Sequence, residues 1–425
     1  MSLRITNARL IDPASGRDAM GDVLIEKGRI AALDGDARAA RAERTLDAAG
    51  RVVAPGLVDL AARLREPGEE YKATLESEMD AAVAGGVTSL ACPPDTDPPL
   101  DEPGLVDMLR RRARALARAR LYPIGALTVK LQGETLTEMG ELSESGCVAF
   151  SQANVPLQDT QMLWRALQYA GSFGFAVWLR PAEPWLSRGG VAHDGEVATR
   201  LGLPGIPSFA ETIAICTILE IVRATGTRVH LCRLSSEAGV AMVRAAKREG
   251  LPVSCDVGVH HLHLCDIDIG YFDSLCRLDP PLRAQRDREA LSAGVADGTI
   301  DCVCSDHTPV DEDAKHQPFS EAAPGATGLE LLLPLMLRWG AMRKRPLAQT
   351  LARISCDPAR ILGVRSGRIE IGAPGDLVMF DPEGSVRLTP DALKSQGKNT
   401  PFLGYELPGQ VHATIVAGKV VYERE

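Results

Sequence analysis

Histidine is scarce in this chain and unevenly placed. The eight lie at positions 193, 230, 260, 261, 263, 307, 316 and 412, so the first 192 residues hold none. No imidazole from that stretch can bind a metal or carry a proton. Aromatic residues are also few, at 4%, and no basic stripe is interleaved with them. With a net charge of −9, the chain lacks the cationic footprint that nucleic-acid binding needs. No apolar run reaches the ~18 residues of a membrane-crossing helix. The start, MSLRITNARLIDP, lacks the apolar core and cleavage site of a signal peptide. None of the ten cysteines forms a CxxC pair; the closest two are Cys302 and Cys304. Reduced, buried thiols and a cytoplasmic location are therefore expected.

What is present is ordinary globular material, 45% hydrophobic and 24% charged over 425 residues. That length can bury a core without staples and suits one large domain, or a large one with a small one. Both ends read as β. Val23-Leu24-Ile25 and Arg29-Ile30-Ala31 flank a Lys27-Gly28 turn, a hairpin signal. Gly375 to Phe380 reads as a strand, and Thr414 to Val416 meets Val420 to Tyr422 across Ala417-Gly418-Lys419. The middle alternates short apolar runs with helical stretches. Strands are expected at Leu57–Leu60, Thr88–Ala91, Cys147–Phe150, Ala176–Leu179, Arg228–Leu231, Val253–Asp256 and Cys302–Ser305. Helices are expected at Glu76–Val83, Leu105–Ala119, Phe209–Ala224 and Glu237–Glu249. Six or more βα units fit an α/β fold, a (β/α)8 TIM-type barrel over 55–362. Residues 1–54 and 363–425 are expected to pair as a composite β-sandwich. In a barrel, chemistry sits at the C-terminal strand ends.

Several blocks follow one another in order. They include Ala54-Pro55-Gly56-Leu57-Val58-Asp59-Leu60 with Leu64-Arg65-Glu66-Pro67-Gly68, then Gly85-Gly86-Val87-Thr88 and Pro94-Asp95-Thr96. Later come His260-His261-Leu262, Asp279-Pro280-Pro281, Ser305-Asp306-His307-Thr308-Pro309 and Ala323-Pro324-Gly325-Ala326-Thr327-Gly328. Together they resemble the dihydroorotase family of cyclic amidohydrolases over nearly the whole chain. The resemblance implies the barrel with its terminal sandwich. It also implies zinc chemistry interconverting carbamoyl aspartate and dihydroorotate, in which metal-bound water attacks an amide carbonyl.

The family's ligand positions are filled by other residues. Where the resemblance calls for His-x-His on the first strand, the chain has Ala61-Ala62-Arg63. An aspartate position is Gln152, and two further histidine positions are Pro181 and Arg233. Only Asp306, the strand-end aspartate, survives, as a vestigial catalytic residue. No metal and no cofactor are expected. Two unit charges ~4 Å apart repel by roughly 4 kcal/mol at an effective dielectric of 20, a divalent ion doubles that, and arginine cannot shed its charge. The resemblance also places a vestigial substrate pocket at Arg65, Asp95, Asp279 and His307. Arg65 stands where the family clamps a carboxylate, a task suited to a guanidinium. Asp95 and Asp279 replace asparagines, and Val310 replaces a histidine. Arg63, Arg65 and Arg233 are expected to pair with Asp95, Asp279, Asp306 or Glu183.

Other features read blandly. His260-His261-Leu262-His263 is the one dense histidine cluster and the one place for a replacement metal site, yet it reads as structural. Lys130, expected on a strand, reads as an ordinary lysine. Cys302 and Cys304 share a strand face and read as packed thiols. Asp306 reads as a salt-bridge partner and His307 as a rim hydrogen bonder. The arginines at 110, 111, 112, 114, 118 and 120 read as a solvated helix face that could also meet an acidic partner. Three functions compete. By resemblance, the first is a noncatalytic dihydroorotase-like partner that assembles with aspartate carbamoyltransferase as a homo- or hetero-oligomer. The second is an active cyclic amidohydrolase with an atypical metal set. The third is a metal-free module sensing a pyrimidine intermediate.

Overall fold

In a computed structural model describing residues 2–424, the apolar runs of the middle become eight short parallel strands. They are β1 (Leu57–Asp59), β2 (Val87–Cys92), β3 (Arg120–Ala126), β4 (Ala149–Ser151), β5 (Val177–Leu179), β6 (Val229–Leu231), β7 (Val253–Gly258) and β8 (Cys302–Cys304). Each pairs in parallel with the next, in chain order. Most are buried at every position, as expected of strands covered on both faces. The seam between β8 and β1 is crossed just past the strand ends. There His307 N donates to Ala61 O at 3.0 Å, and Arg63 N donates to His307 O at 2.9 Å. This is the expected α/β barrel, nearly closed.

The helices begin and end on local chemistry. Helix α1 (Leu75–Ala84) starts from a Thr74–Ser77 capping box. Helix α2 (Pro103–Leu116) opens with proline in its first turn and ends at left-handed Ala117. Proline fits a first turn, which places this helix N-terminal of the expected Leu105–Ala119. Helices α3 (Thr160–Phe173), α4 (Phe209–Thr225) and α5 (Glu237–Glu249) each end on a left-handed glycine, at 174, 226 and 250. Such glycine caps satisfy the last carbonyls without Cβ strain.

The two chain ends pair into one eight-stranded mixed sheet. Val52–Pro55 is its junction: it runs parallel to Ser2–Asp12 and antiparallel to Leu377–Arg387. Leu3, Ile5, Val53, Leu377 and Ile415 share a separate apolar core, making this the small β-sandwich beside the barrel. A short helix at Asp34–Ala39 was not expected from the sequence. Gly56 links sandwich to barrel, and a Cβ there would lie 2.2 Å from the Thr88 side chain. Only glycine lets the chain pass this close. Among the described residues, no helix is long and apolar enough to cross a membrane.

Candidate functional site at the barrel mouth

The C-terminal strand ends deliver the sequence-marked residues to one rim. Ala61 and Arg63 follow β1, Gln152 follows β4, Pro181 follows β5, Arg233 follows β6 and Asp306 follows β8. Asp306 (φ 46°), Arg233 (φ 57°) and Arg65 (φ 62°) all take the left-handed conformation. That is costly for residues with a Cβ, and such strain gathers at functional rims.

Two guanidinium groups fill the centre. Arg63 donates from Nε to Asp95 at 2.7 Å and from Nη1 to Asp306 Oδ1 at 3.5 Å and Thr308 Oγ1 at 3.1 Å. Arg233 Nη1 donates to the same Asp306 oxygen at 2.9 Å. Both arginines also grip one further atom, Asn154 Oδ1. Only 5% of each arginine side chain and 11% of Asp306 is exposed. Burial, the largest single influence, would lower the Arg233 pKa, but Asp306, with Asp279 and other neighbours, together hold the guanidinium above its ordinary value. Burial would raise the Asp95 carboxyl; the charge and hydrogen bond of Arg63, with Arg65 and Arg233, hold it below the usual range.

The remaining pairings differ from expectation. Arg65 takes none of the four expected acids. Its Nη1 donates to Glu69 at 2.7 Å and its Nε to the Pro309 carbonyl at 2.9 Å. The Asp279 carboxylate pairs with Arg180, while Arg233 reaches only the Asp279 backbone carbonyl, at 3.4 Å. Glu183 accepts from Leu186 N at 2.6 Å, capping a short helix. His307 turns away from the cluster. Its Nε2 meets buried Glu78 at 2.6 Å and its Nδ1 accepts from Gly328 N. Gln152 is held by Thr128 at 3.0 Å and donates to Leu131 O at 2.8 Å. Lys130 sits on a 3₁₀ turn rather than a strand, exposed.

The histidine cluster disperses. His260, His261 and His263 each direct Nε2 to a different carbonyl, of Thr327, Pro280 and Leu335. Burial, named first among their causes, pushes His260 and His263 down to about 4. Among the described residues, the one His/Cys/Asp/Glu trio compact enough for a metal is His230, Cys232 and Asp256. Its members are already committed. His230 holds Ser254 at 2.8 Å and Asp256 at 3.0 Å, and Asp256 also accepts from Arg233 N at 2.5 Å. Burial pushes the Cys232 thiol well up. Cys302 and Cys304 are buried with strongly raised pKa values, again from burial. Neither the rim nor this trio fits the family's zinc.

The expected arginine face is partly paired within the chain. Arg112 reaches Glu66, Arg118 reaches Asp80 and Arg120 makes a two-pronged bond to Asp376. Sequence reasoning missed Asn154, Thr308, Arg180 and Glu69. The available signal was position alone: Asn154, Arg180 and Thr308 follow strand ends of a barrel.

Comparison with known proteins agrees with this skeleton. A family model described as dihydro-orotase-like matches residues 50–238, and one described as amidohydrolase family matches 217–422. A dihydroorotase-like protein of Pseudomonas aeruginosa is 44% identical over 100% of both chains. Another from Pseudomonas putida is 43% identical, again over 100% of both. A protein of Geobacter sp. named dihydroorotase is 38% identical over 100% of each chain. Among solved structures, L-hydantoinase from Arthrobacter aurescens superposes with a TM-score of 0.86 at 23% identity, covering 99% of this chain and 96% of that one; this likeness speaks to the fold. By its full-length relatives, its ordered blocks and its barrel, the chain belongs to the dihydroorotase-like family of amidohydrolases.

Proposed function

We propose that this chain is a noncatalytic dihydroorotase-like protein of de novo pyrimidine biosynthesis, acting as a structural or assembly partner of aspartate carbamoyltransferase. The observation that carries the noncatalytic half is the convergence of Arg63 and Arg233 on the same two oxygens, Asp306 Oδ1 and Asn154 Oδ1. Those oxygens are the kind of donor a cation would bind, and two fixed positive charges already hold them. A zinc ion there would face roughly 8 kcal/mol of repulsion per guanidinium at ~4 Å and an effective dielectric of 20. Of the family's ligand positions it would also find one carboxylate, Asp306, and no imidazole.

The assembly half draws on the resemblance and on the barrel itself. A barrel kept whole after its ligands are replaced points to its surface as the useful part. Co-expression with the transferase tests this. The proposal expects co-purification at fixed stoichiometry and loss of transferase activity when this chain is withdrawn. A transferase that assembles and works alone rejects it. The second reading, an active hydrolase with an atypical metal set, is favoured by relatives that bear the enzyme's name, such as the one from Geobacter sp.. Zinc-dependent dihydroorotate hydrolysis by the purified chain would establish it instead.

A further inference from the structure

Beside the arginine cluster lie two hollows with shared walls that the functional reading does not use. The first, about 350 Å³, is lined by Arg180, Arg188, Arg277, Asp279 and Asn154. Its volume lies within the roughly 300–1,000 Å³ typical of small-ligand sites. The second, about 170 Å³, runs between helices α3 and α4 and is walled by Leu157, Leu163, Leu179, Ile213 and Ile218. Arg180, Val155, Pro156 and Pro184 line both, so a cationic chamber opens beside an apolar arm.

The chamber is short of negative charge. Three guanidinium groups face one carboxylate, Asp279, and that carboxylate is held by Arg180. Arg277 makes no ion pair among the described residues; its Nη1 reaches only the Leu278 carbonyl, at 3.5 Å. The Nε atoms of both Arg180 and Arg277 are buried without a hydrogen-bond partner, although the Arg180 side chain is only 10% exposed. An unmade bond from a buried charged group is expensive. A guanidinium short of partners is suited to carboxylate or phosphate oxygens. Arg188 closes the outer rim, stacked 4.7 Å from the Trp185 ring.

From this pairing we infer that the barrel mouth is a binding site for a small amphipathic anion. Its carboxylate or phosphate head would sit on Arg277, Arg180 and Arg188, and its short apolar body would lie along Leu163, Ile213 and Ile218. The inference goes beyond the noncatalytic reading and stands whether or not the transferase is the partner. It requires binding without turnover.

Calorimetric titration of the full chain with octyl phosphate and octanoate tests it, with inorganic phosphate and octyl glucoside as head-only and tail-only probes. The octyl anions are expected to bind at a single site, at least about tenfold more tightly than either partial probe. The stronger of the two octyl anions identifies the head group. Arg277→Gln is expected to weaken binding by about tenfold, the loss of one charge-assisted hydrogen bond. Ile213→Glu, at an exposed position, is expected to weaken it by a similar factor with an unchanged melting temperature. The Ile213 variant keeps the test decisive if Arg277→Gln folds poorly. No binding of either octyl anion at millimolar concentration overturns the inference. So does binding indifferent to both substitutions, or inorganic phosphate binding as tightly as octyl phosphate.

Discussion

Replacing Asp306 with asparagine removes the carboxylate that Arg63 and Arg233 share while keeping size and shape. Asparagine tolerates a left-handed backbone, so the φ of 46° at this position adds no new strain. The loss falls mainly on Arg233. Arg63 retains Asp95 at 2.7 Å, whereas Arg233 keeps only Asn154 and the Asp279 carbonyl. Both guanidinium groups are 5% exposed, so water cannot replace the lost partner. Breaking one side of a buried ion pair costs about 3–5 kcal/mol. Urea denaturation followed by the fluorescence of the four tryptophans measures this as a fall in the midpoint. A second substitution, Arg233→Met in the Asp306→Asn background, is expected to recover part of the loss, because coupled neighbours are not additive. If Asp306 were instead a catalytic aspartate kept at a cost to the fold, asparagine would leave stability unchanged or raise it. That result would refute the reasoning that this residue now serves as a counter-ion.

Two further expectations concern the scaffold. Gly56→Ala pushes a methyl group to 2.2 Å from Thr88 and is expected to lower stability by about 1–3 kcal/mol, as overpacking does, measured by the same denaturation; a neutral result would mean the sandwich–barrel junction is loose. His260 is held down at about 4 by burial, below the ~6.5 of an unfolded chain. The unfolded state therefore binds the extra proton first on acidification. The contribution is full above pH ~6.5 and declines as pH falls through 4, by about 3 kcal/mol in all. His260→Phe is expected to flatten that slope while lowering stability at pH 7, since Thr327 O loses its donor; an unchanged slope in stability-versus-pH measurements would place the acid sensitivity elsewhere.

Much of this molecule was legible in the sequence because its signals are local. The hairpin turns at Lys27-Gly28 and Ala417-Gly418 and the apolar runs of β5 to β8 each depend on a few adjacent residues. The absence of histidine before position 193 needed no alignment to interpret. What was not legible is long-range. Arg180 and Asp279 are 99 positions apart, and Asn154 bridges Arg63 and Arg233 from a loop 91 and 79 positions from them. Nothing in spacing distinguishes Glu69 from Asp95 as the partner of Arg65, which pairs with Glu69. The trio of His230, Cys232 and Asp256 was missed because it joins neighbouring strands β6 and β7, with their ends in register. The histidine run reads as structural despite its adjacent members, and the 3₁₀ turn at Val259–Leu262 sends the rings to separate carbonyls.

The central claim is that the barrel mouth holds arginines in place of a metal. Elemental analysis after purification with added zinc, paired with a dihydroorotate hydrolysis assay on the same sample, tests it most directly. The account predicts zinc well below one ion per chain and no hydrolysis above the uncatalysed rate. Stoichiometric zinc, with hydrolysis that a chelator abolishes and zinc restores, would contradict it.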